Sequence, residues 1–298
     1  MTNELCLVSA SGGLDSSTTL GMLKLAGYKN IIACHFDYGH RSAQAEKIAI
    51  TNVCKQLDIE LRIFDVSNIY ETLNSKSTSI LLDETAQIVT GTNDELKTVG
   101  AWVPMRNGLF MCLMAALAET EVMKHDYDEV YFLGGFLNLS ESGVYPDNSE
   151  YFLDTQLKSF KYSTLIGNRI KPMYGLSDIM KFEQFAILAS FKDYLMDAYK
   201  YTISCDRAIV DENGIPRNCS HNGIPACGSG LLSYWASKMV GLDDMKIRNF
   251  YECNDENYKA YTPDHLNSSE VRNYDIHQII DRIHFDKDHL QNLHDLIK

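Results

Sequence analysis

Leu5-Cys6-Leu7-Val8-Ser9-Ala10-Ser11-Gly12-Gly13-Leu14-Asp15-Ser16-Ser17 is the stretch that decides the fold. An apolar run of strand length passes into a glycine pair. Leu20, Leu23 and Leu25 then follow at helical spacing until Gly27 stops the helix. Strand, glycine turn and helix in that order open a βα unit. Two adjacent glycines let backbone N–H groups approach an anion with no Cβ in the way. Ser16 or Ser17 is expected to cap the helix, whose positive end favours phosphate. Ala10 to Ser17 is therefore a candidate phosphate cradle. Asp15 inside it makes chemical sense chiefly if it holds a divalent cation. The same residues also describe an ordinary glycine turn with a capping serine. A Walker loop is excluded, because no Gly-Lys-Ser/Thr follows at the required distance, and there is no Gly-x-Gly-x-x-Gly fingerprint.

Working outward, Ile31 to Phe36 reads as a second strand, Ala43 to Leu57 as a helix and Leu61 to Val66 as a third strand. Asn107 to Glu119 reads as an apolar helix, and Val130 to Leu133 as a further strand closed by Gly134-Gly135. Strands separated by helix-length segments predict an α/β fold with a Rossmann-like parallel sheet covered by helices on both faces. Ligands in such folds bind beyond the carboxyl ends of the strands. Between Ile69 and Pro104 the chain is rich in Ser, Thr and Asn, a long excursion over the site. Helix returns over Ile179 to Asp197. A cysteine-bearing loop runs from Ser204 to Gly230, and the polar stretch from Asn254 carries one helical stripe of Ile276, Ile279, Ile280 and Ile283. The expected organisation is a nucleotide-binding domain over 1–200, a cysteine loop and helix over 201–253, and a helical C-terminal appendage over 254–298.

Composition sets further bounds. Apolar residues make up 45% of the 298 and charged residues 22%, enough apolar area to exclude wholesale disorder. A net charge of −13 argues against binding nucleic acid through its backbone, which takes a basic surface. The longest apolar run, Leu109 to Ala118, is well short of the roughly 20 residues that span a bilayer. Neither a secretory leader nor a membrane partner is expected. Eight cysteines in such a chain read as reduced thiols or metal ligands in a cytoplasmic protein.

Ser11-Gly12-Gly13-Leu14-Asp15-Ser16 resembles the pyrophosphate loop of the N-type ATP pyrophosphatases, with their adenine-nucleotide-alpha-hydrolase-like fold. Further segments resemble one family within that group, the QueC 7-cyano-7-deazaguanine synthases. These are His35-Phe36-Asp37-Tyr38-Gly39-His40-Arg41 with Glu46, Val103-Pro104-Met105-Arg106-Asn107, Gly143-Val144-Tyr145-Pro146-Asp147, Lys171-Pro172-Met173 and Ser204-Cys205, in the family's order. The resemblance implies an ATP-dependent C–N ligase that adenylates the carboxylate of 7-carboxy-7-deazaguanine. AMP and pyrophosphate leave, and ammonia converts the acyl group to amide and nitrile. It implies ATP and Mg²⁺ at Ala10 to Ser17 with Asp37, a catalytic part for Asp15, Ser16 and Arg106, and substrate contacts from Arg106, Asn107, Tyr145 and Asp147. A homodimer is implied too. QueC-like paralogues of antiviral-defence (CBASS-type) operons offer an alternative, in which the deazaguanine acyl group is joined to a protein amine.

The family carries four zinc cysteines late in the chain. Here Cys205, Cys219 and Cys227 answer to three of them, and Gly230 stands where the fourth is expected. Three thiolates and an imidazole make a normal tetrahedral Zn²⁺ site. His221 is the candidate fourth ligand and Cys253 a second one. Cys6, Cys34, Cys54 and Cys112 sit in apolar strand or helix contexts and read as packing. Two other departures are Asn148-Ser149 in place of Cys-Arg, and Asp178 in place of a lysine after Leu176-Ser177.

Overall fold

The computed structural model describes residues 3–73, 79, 81–82, 102–134, 146–253 and 272–297. Its first half alternates β1 (Glu4–Ser9), α1 (Leu14–Ala26), β2 (Asn30–Asp37), α2 (Ala43–Leu57), β3 (Glu60–Asp65) and a short α3 (Ser67–Thr72). There follow α4 (Arg106–His125), β4 (Glu129–Leu133), α5 (Glu150–Ser163) and β5 (Ile170–Pro172). The five strands pair in the order β3-β2-β1-β4-β5, and every pairing is parallel. This is the expected α/β architecture.

Alternation along the strands explains why both faces are covered, because successive side chains point to opposite sides. Cys6, Val8, Ile31, Ala33, Tyr131 and Leu133 enter one apolar core, which α1, α2 and the later helices complete. Leu5, Leu7, Ile32, Cys34, Phe36, Val130 and Phe132 enter another, with Phe110, Met114 and Ala118 of α4 and Leu153 and Leu157 of α5. A strand buried on both faces reads as a continuous apolar run, and β1 does.

The helix expected over Ile179 to Asp197 is two helices, α6 (Lys181–Ser190) and α7 (Lys192–Tyr199). Lys181 rather than Ile179 begins the first of them, because Glu183 accepts from the Met180 backbone N–H at 2.9 Å and closes the helix start there. A small second sheet follows. It comprises β6 (Ile209–Val210), β7 (Pro216–His221) and β8 (Ile224–Pro225) in antiparallel pairing, with β9 (Phe250–Glu252) parallel to β7. Between β8 and β9 lie α8 (Gly228–Lys238) and α9 (Asp244–Ile247). A buried ion pair between Asp244 and Arg248 ties this module to the main body, since the Tyr199 hydroxyl donates to Asp244 at 2.7 Å.

The chain ends in α10 (Ile276–Ile280) and α11 (Lys287–Leu296). These helices pack into the first core rather than stand off from it. Ile279, Ile280, Ile283, Phe285 and Leu293 are buried there, His289 stacks on Tyr28 at 3.7 Å, and Asn292 donates to the Ala26 carbonyl at 2.7 Å. Among the described residues no helix is long and apolar enough to cross a membrane. Most of the Ile69 to Pro104 excursion lies outside the described residues.

Candidate active site

At the carboxyl edge of the sheet the chain leaves β1 and turns into α1. Gly12 has φ +84°, and a Cβ there would stand 2.8 Å from the Ile50 backbone nitrogen on α2. No other residue fits that turn without moving a helix. The N-cap is Gly13, so α1 starts three residues earlier than a Ser16 cap would allow. Ser16 instead donates to the Gly13 carbonyl at 3.4 Å from within the first turn. The expected capping role passes to a distant residue: the Leu14 backbone N–H donates to the Ser204 hydroxyl at 3.2 Å. The cysteine module thereby fixes the start of α1.

Asp15 has a partner that sequence reasoning missed. Lys181 Nζ lies 2.5 and 2.7 Å from its two carboxylate oxygens, with only 7% of the lysine side chain exposed. The negative charge in the loop is thus balanced by an ammonium on α6. Asp178, which stands where the family's lysine was sought, points elsewhere and contacts His284 Nε2 at 2.7 Å. Three further residues of chain carry the lysine to α6. The pattern Lys181-Phe182-Glu183 was the available signal.

A cavity of about 520 Å³ opens over the loop. Of the expected nucleotide contacts, Ala10, Ser11, Asp15 and Ser16 line it, as do Arg106, Asn107 and Asp147 of the expected substrate contacts. Asp37 is not in the lining. One of its carboxylate oxygens takes the Gly39 N–H at 3.1 Å, a turn contact at the end of β2. Gly12, Gly13, Leu14 and Ser17 are not in the lining either. Tyr145 lies outside the described residues.

Arg106 opens α4 immediately after Met105, whose φ of +54° is unusual for a side-chain-bearing residue. Its guanidinium lies over the Tyr38 ring at 5.6 Å and donates to the Tyr38 hydroxyl at 3.4 Å and to Asn107 Oδ1 at 3.3 Å. Asn107 Nδ2 donates to the Asp147 carbonyl at 3.1 Å, fastening this corner to the turn before α5. Burial pushes the Asp147 carboxyl above its ordinary range, while Arg106 draws it back. Ser149 caps α5 by accepting from the Phe152 N–H at 3.2 Å, and Asn148 lines the cavity. On the second strand, His35 Nδ1 faces the Ala10 carbonyl at 3.0 Å, and burial lowers its pKa, so the neutral ring donates to the loop.

The cysteines meet at the far side. Cys205, Cys219 and Cys227 are all buried, and their sulfurs lie within 4.8 Å of one another. Backbone N–H groups of Arg207 and Cys219 point at the Cys205 sulfur at 3.4 and 3.2 Å, and that of Gly230 at the Cys227 sulfur at 3.4 Å. Soft donors held this way suit zinc, and N–H···S contacts favour the thiolate form a metal requires. His221 is not part of the cluster. Its Nδ1 faces the Cys253 carbonyl at 3.1 Å. Cys219 and His221 share one face of β7, but the imidazole turns to the Cys253 carbonyl and not to the thiols. Cys253 is not in the cluster either. A Cβ at Gly230 would lie 3.3 Å from the Cys227 sulfur, which places position 230 against the thiols.

A family model described as queuosine biosynthesis protein QueC matches residues 5–227. A 7-cyano-7-deazaguanine synthase of Campylobacter curvus is 34% identical over 182 residues, covering 61% of this chain and 75% of that protein. That of Nautilia profundicola is 27% identical over 242 residues, covering 80% and 95%. The 7-cyano-7-deazaguanine synthase 2 of Sulfurisphaera tokodaii is 31% identical over 182 residues, a match spanning 59% of this chain but only 36% of that longer protein. Among solved structures, the NH3-dependent NAD synthetase of Campylobacter jejuni, in complex with nitrate, is similar at 15% identity and a TM-score of 0.29, covering 65% of this chain and 76% of that one.

Proposed function

Because the chain belongs to the QueC family of queuosine biosynthesis proteins, we propose that it adenylates the carboxylate of 7-carboxy-7-deazaguanine with ATP and transfers the acyl group to ammonia, forming the amide and then the nitrile. One observation carries this reading: the phosphate loop and the Arg106-Asn107-Asp147 corner face a single cavity of about 520 Å³. That is room to bring two reactants together.

A carboxylate is a poor electrophile, since its charge repels nucleophiles. Adenylation removes the charge and supplies a leaving group, so the protein's part is positioning and charge stabilisation. Ser11 and Ser16, which line the cavity, hold the triphosphate together with the positive end of α1. Lys181 neutralises Asp15, so the loop presents less negative charge to the phosphates. Mg²⁺, if held at Asp15, would screen the phosphates. Arg106 presents a planar fork that matches a carboxylate. A zinc at Cys205, Cys219 and Cys227 would hold the cysteine module, and with it Ser204, against the start of α1. The test is product analysis. ATP with 7-carboxy-7-deazaguanine and ammonium should yield AMP, pyrophosphate and the amide or nitrile. ATP consumption indifferent to the carboxylate would refute the assignment.

A further inference from the structure

The cavity wall holds an imidazole–carboxylate pair that neither the phosphate loop nor the Arg106 corner uses. His40 Nε2 lies 3.0 Å from Glu46 Oε2, and only 4% of the histidine side chain is exposed. The ring stacks on Tyr38 at 4.1 Å with 11° between planes, which fixes its orientation. Both residues line the cavity. Both ring nitrogens of His40 are buried without a hydrogen bond among the described residues, and only Nε2 has a charged neighbour, the Glu46 carboxylate. Leaving such an atom unpaired is costly unless a ligand meets it. With Glu46 beside Nε2, Nδ1 is the ring nitrogen left for a ligand in the cavity. The other groups around the ring are the neutral His35 and Tyr38 on or just beyond β2, Arg106 on α4 and Asp206 before the second sheet.

We propose that His40, oriented by Glu46, is the base that removes the proton from the amine attacking the acyl-adenylate. This rests on the adenylation reading above. The amine nitrogen bonds to the acyl carbon, and the bond from that carbon to the AMP oxygen breaks, its electron pair leaving with AMP. The proton shed by nitrogen passes to His40 Nδ1 and then to solvent. Atoms and charge balance with no further reactant. A positioned base of this kind contributes roughly 10²–10⁴-fold.

Two half-reactions of the full-length protein separate this role from packing. Carboxylate-dependent exchange of labelled pyrophosphate into ATP reports adenylation alone, and amide formation from ammonium reports both steps. His40→Gln keeps the shape and polarity but cannot carry the proton. The ratio of amide formation to exchange should fall at least about a hundredfold in it. In His40→Gly, added imidazole should restore part of the amide formation. Glu46→Gln should lower the same ratio about tenfold, as a positioning residue. If amide formation and exchange fall together, or neither changes, His40 only packs on Tyr38 and the inference is wrong. If the parent shows no carboxylate-dependent exchange, the adenylation reading fails and the base goes with it.

Discussion

Asp15 and Lys181 are 166 residues apart in sequence and 2.5 Å apart in the fold. The structure therefore supplies a partner for the acidic side chain of the loop from within the chain: a nearly buried ammonium balances it. Asp15→Ala leaves Lys181 as an uncompensated charge, and Lys181→Met does the same to Asp15. Both variants should lose most pyrophosphate release while staying folded by circular dichroism. Ser16→Ala removes one hydrogen bond of about 1 kcal/mol and should cost only about fivefold. At the other corner, Arg106→Lys keeps the charge but loses the planar fork. Turnover should fall by about one to two decades, roughly 1.5–3 kcal/mol, with ATP affinity held. A variant equal to the parent would make Arg106 a wall residue. The glycine pair, Asp15, Arg106 and Asn107 were legible because each stands in a short run with an intrinsic chemical logic. Lys181 was not, because its meaning comes from a pairing across the fold and because three extra residues displace it from the place where a lysine was sought.

Elements were legible where the apolar pattern is continuous, as in β1, β2 and α4, and misread where an end is set by a cap from elsewhere. The start of α1 depends on Ser204, and the break before α7 falls within a run of helical spacing. The cysteine module shows the same limit. Spacing alone placed His221 beside Cys219, but the imidazole faces the Cys253 carbonyl instead of the thiols. The three thiols stay together, and a metal bound by them links β7, the start of α8 and the segment that supplies Ser204. We expect about one zinc per chain by elemental analysis. Cys227→Ser should lower both the zinc content and the melting temperature, because metal bound to the native state is folding free energy. His221→Ala should leave the zinc content unchanged. Protein with no zinc and three freely titratable thiols would contradict this.

On the scale of the whole molecule, one α/β body carries the cavity at the edge of its sheet. Its last helices complete the first core although their polar, histidine-rich sequence read as an appendage. Helix formation was visible in Ile276, Ile279, Ile280 and Ile283. The docking was not, since it rests on pairings across the fold such as Leu293 in the core, His289 on Tyr28 and Asn292 on the Ala26 carbonyl. Leu293 is fully buried, so Leu293→Ala should destabilise the protein by about 2–5 kcal/mol in urea unfolding. A change near zero would mean that α11 is dispensable to the core. The central claim is that the carboxylate itself takes AMP before nitrogen arrives. The most direct measurement uses 7-carboxy-7-deazaguanine labelled with ¹⁸O in both carboxylate oxygens, with ATP and ammonium, and mass analysis of the products. The account predicts AMP carrying one ¹⁸O and pyrophosphate carrying none. Unlabelled AMP, or label appearing in inorganic phosphate beside ADP, would contradict it.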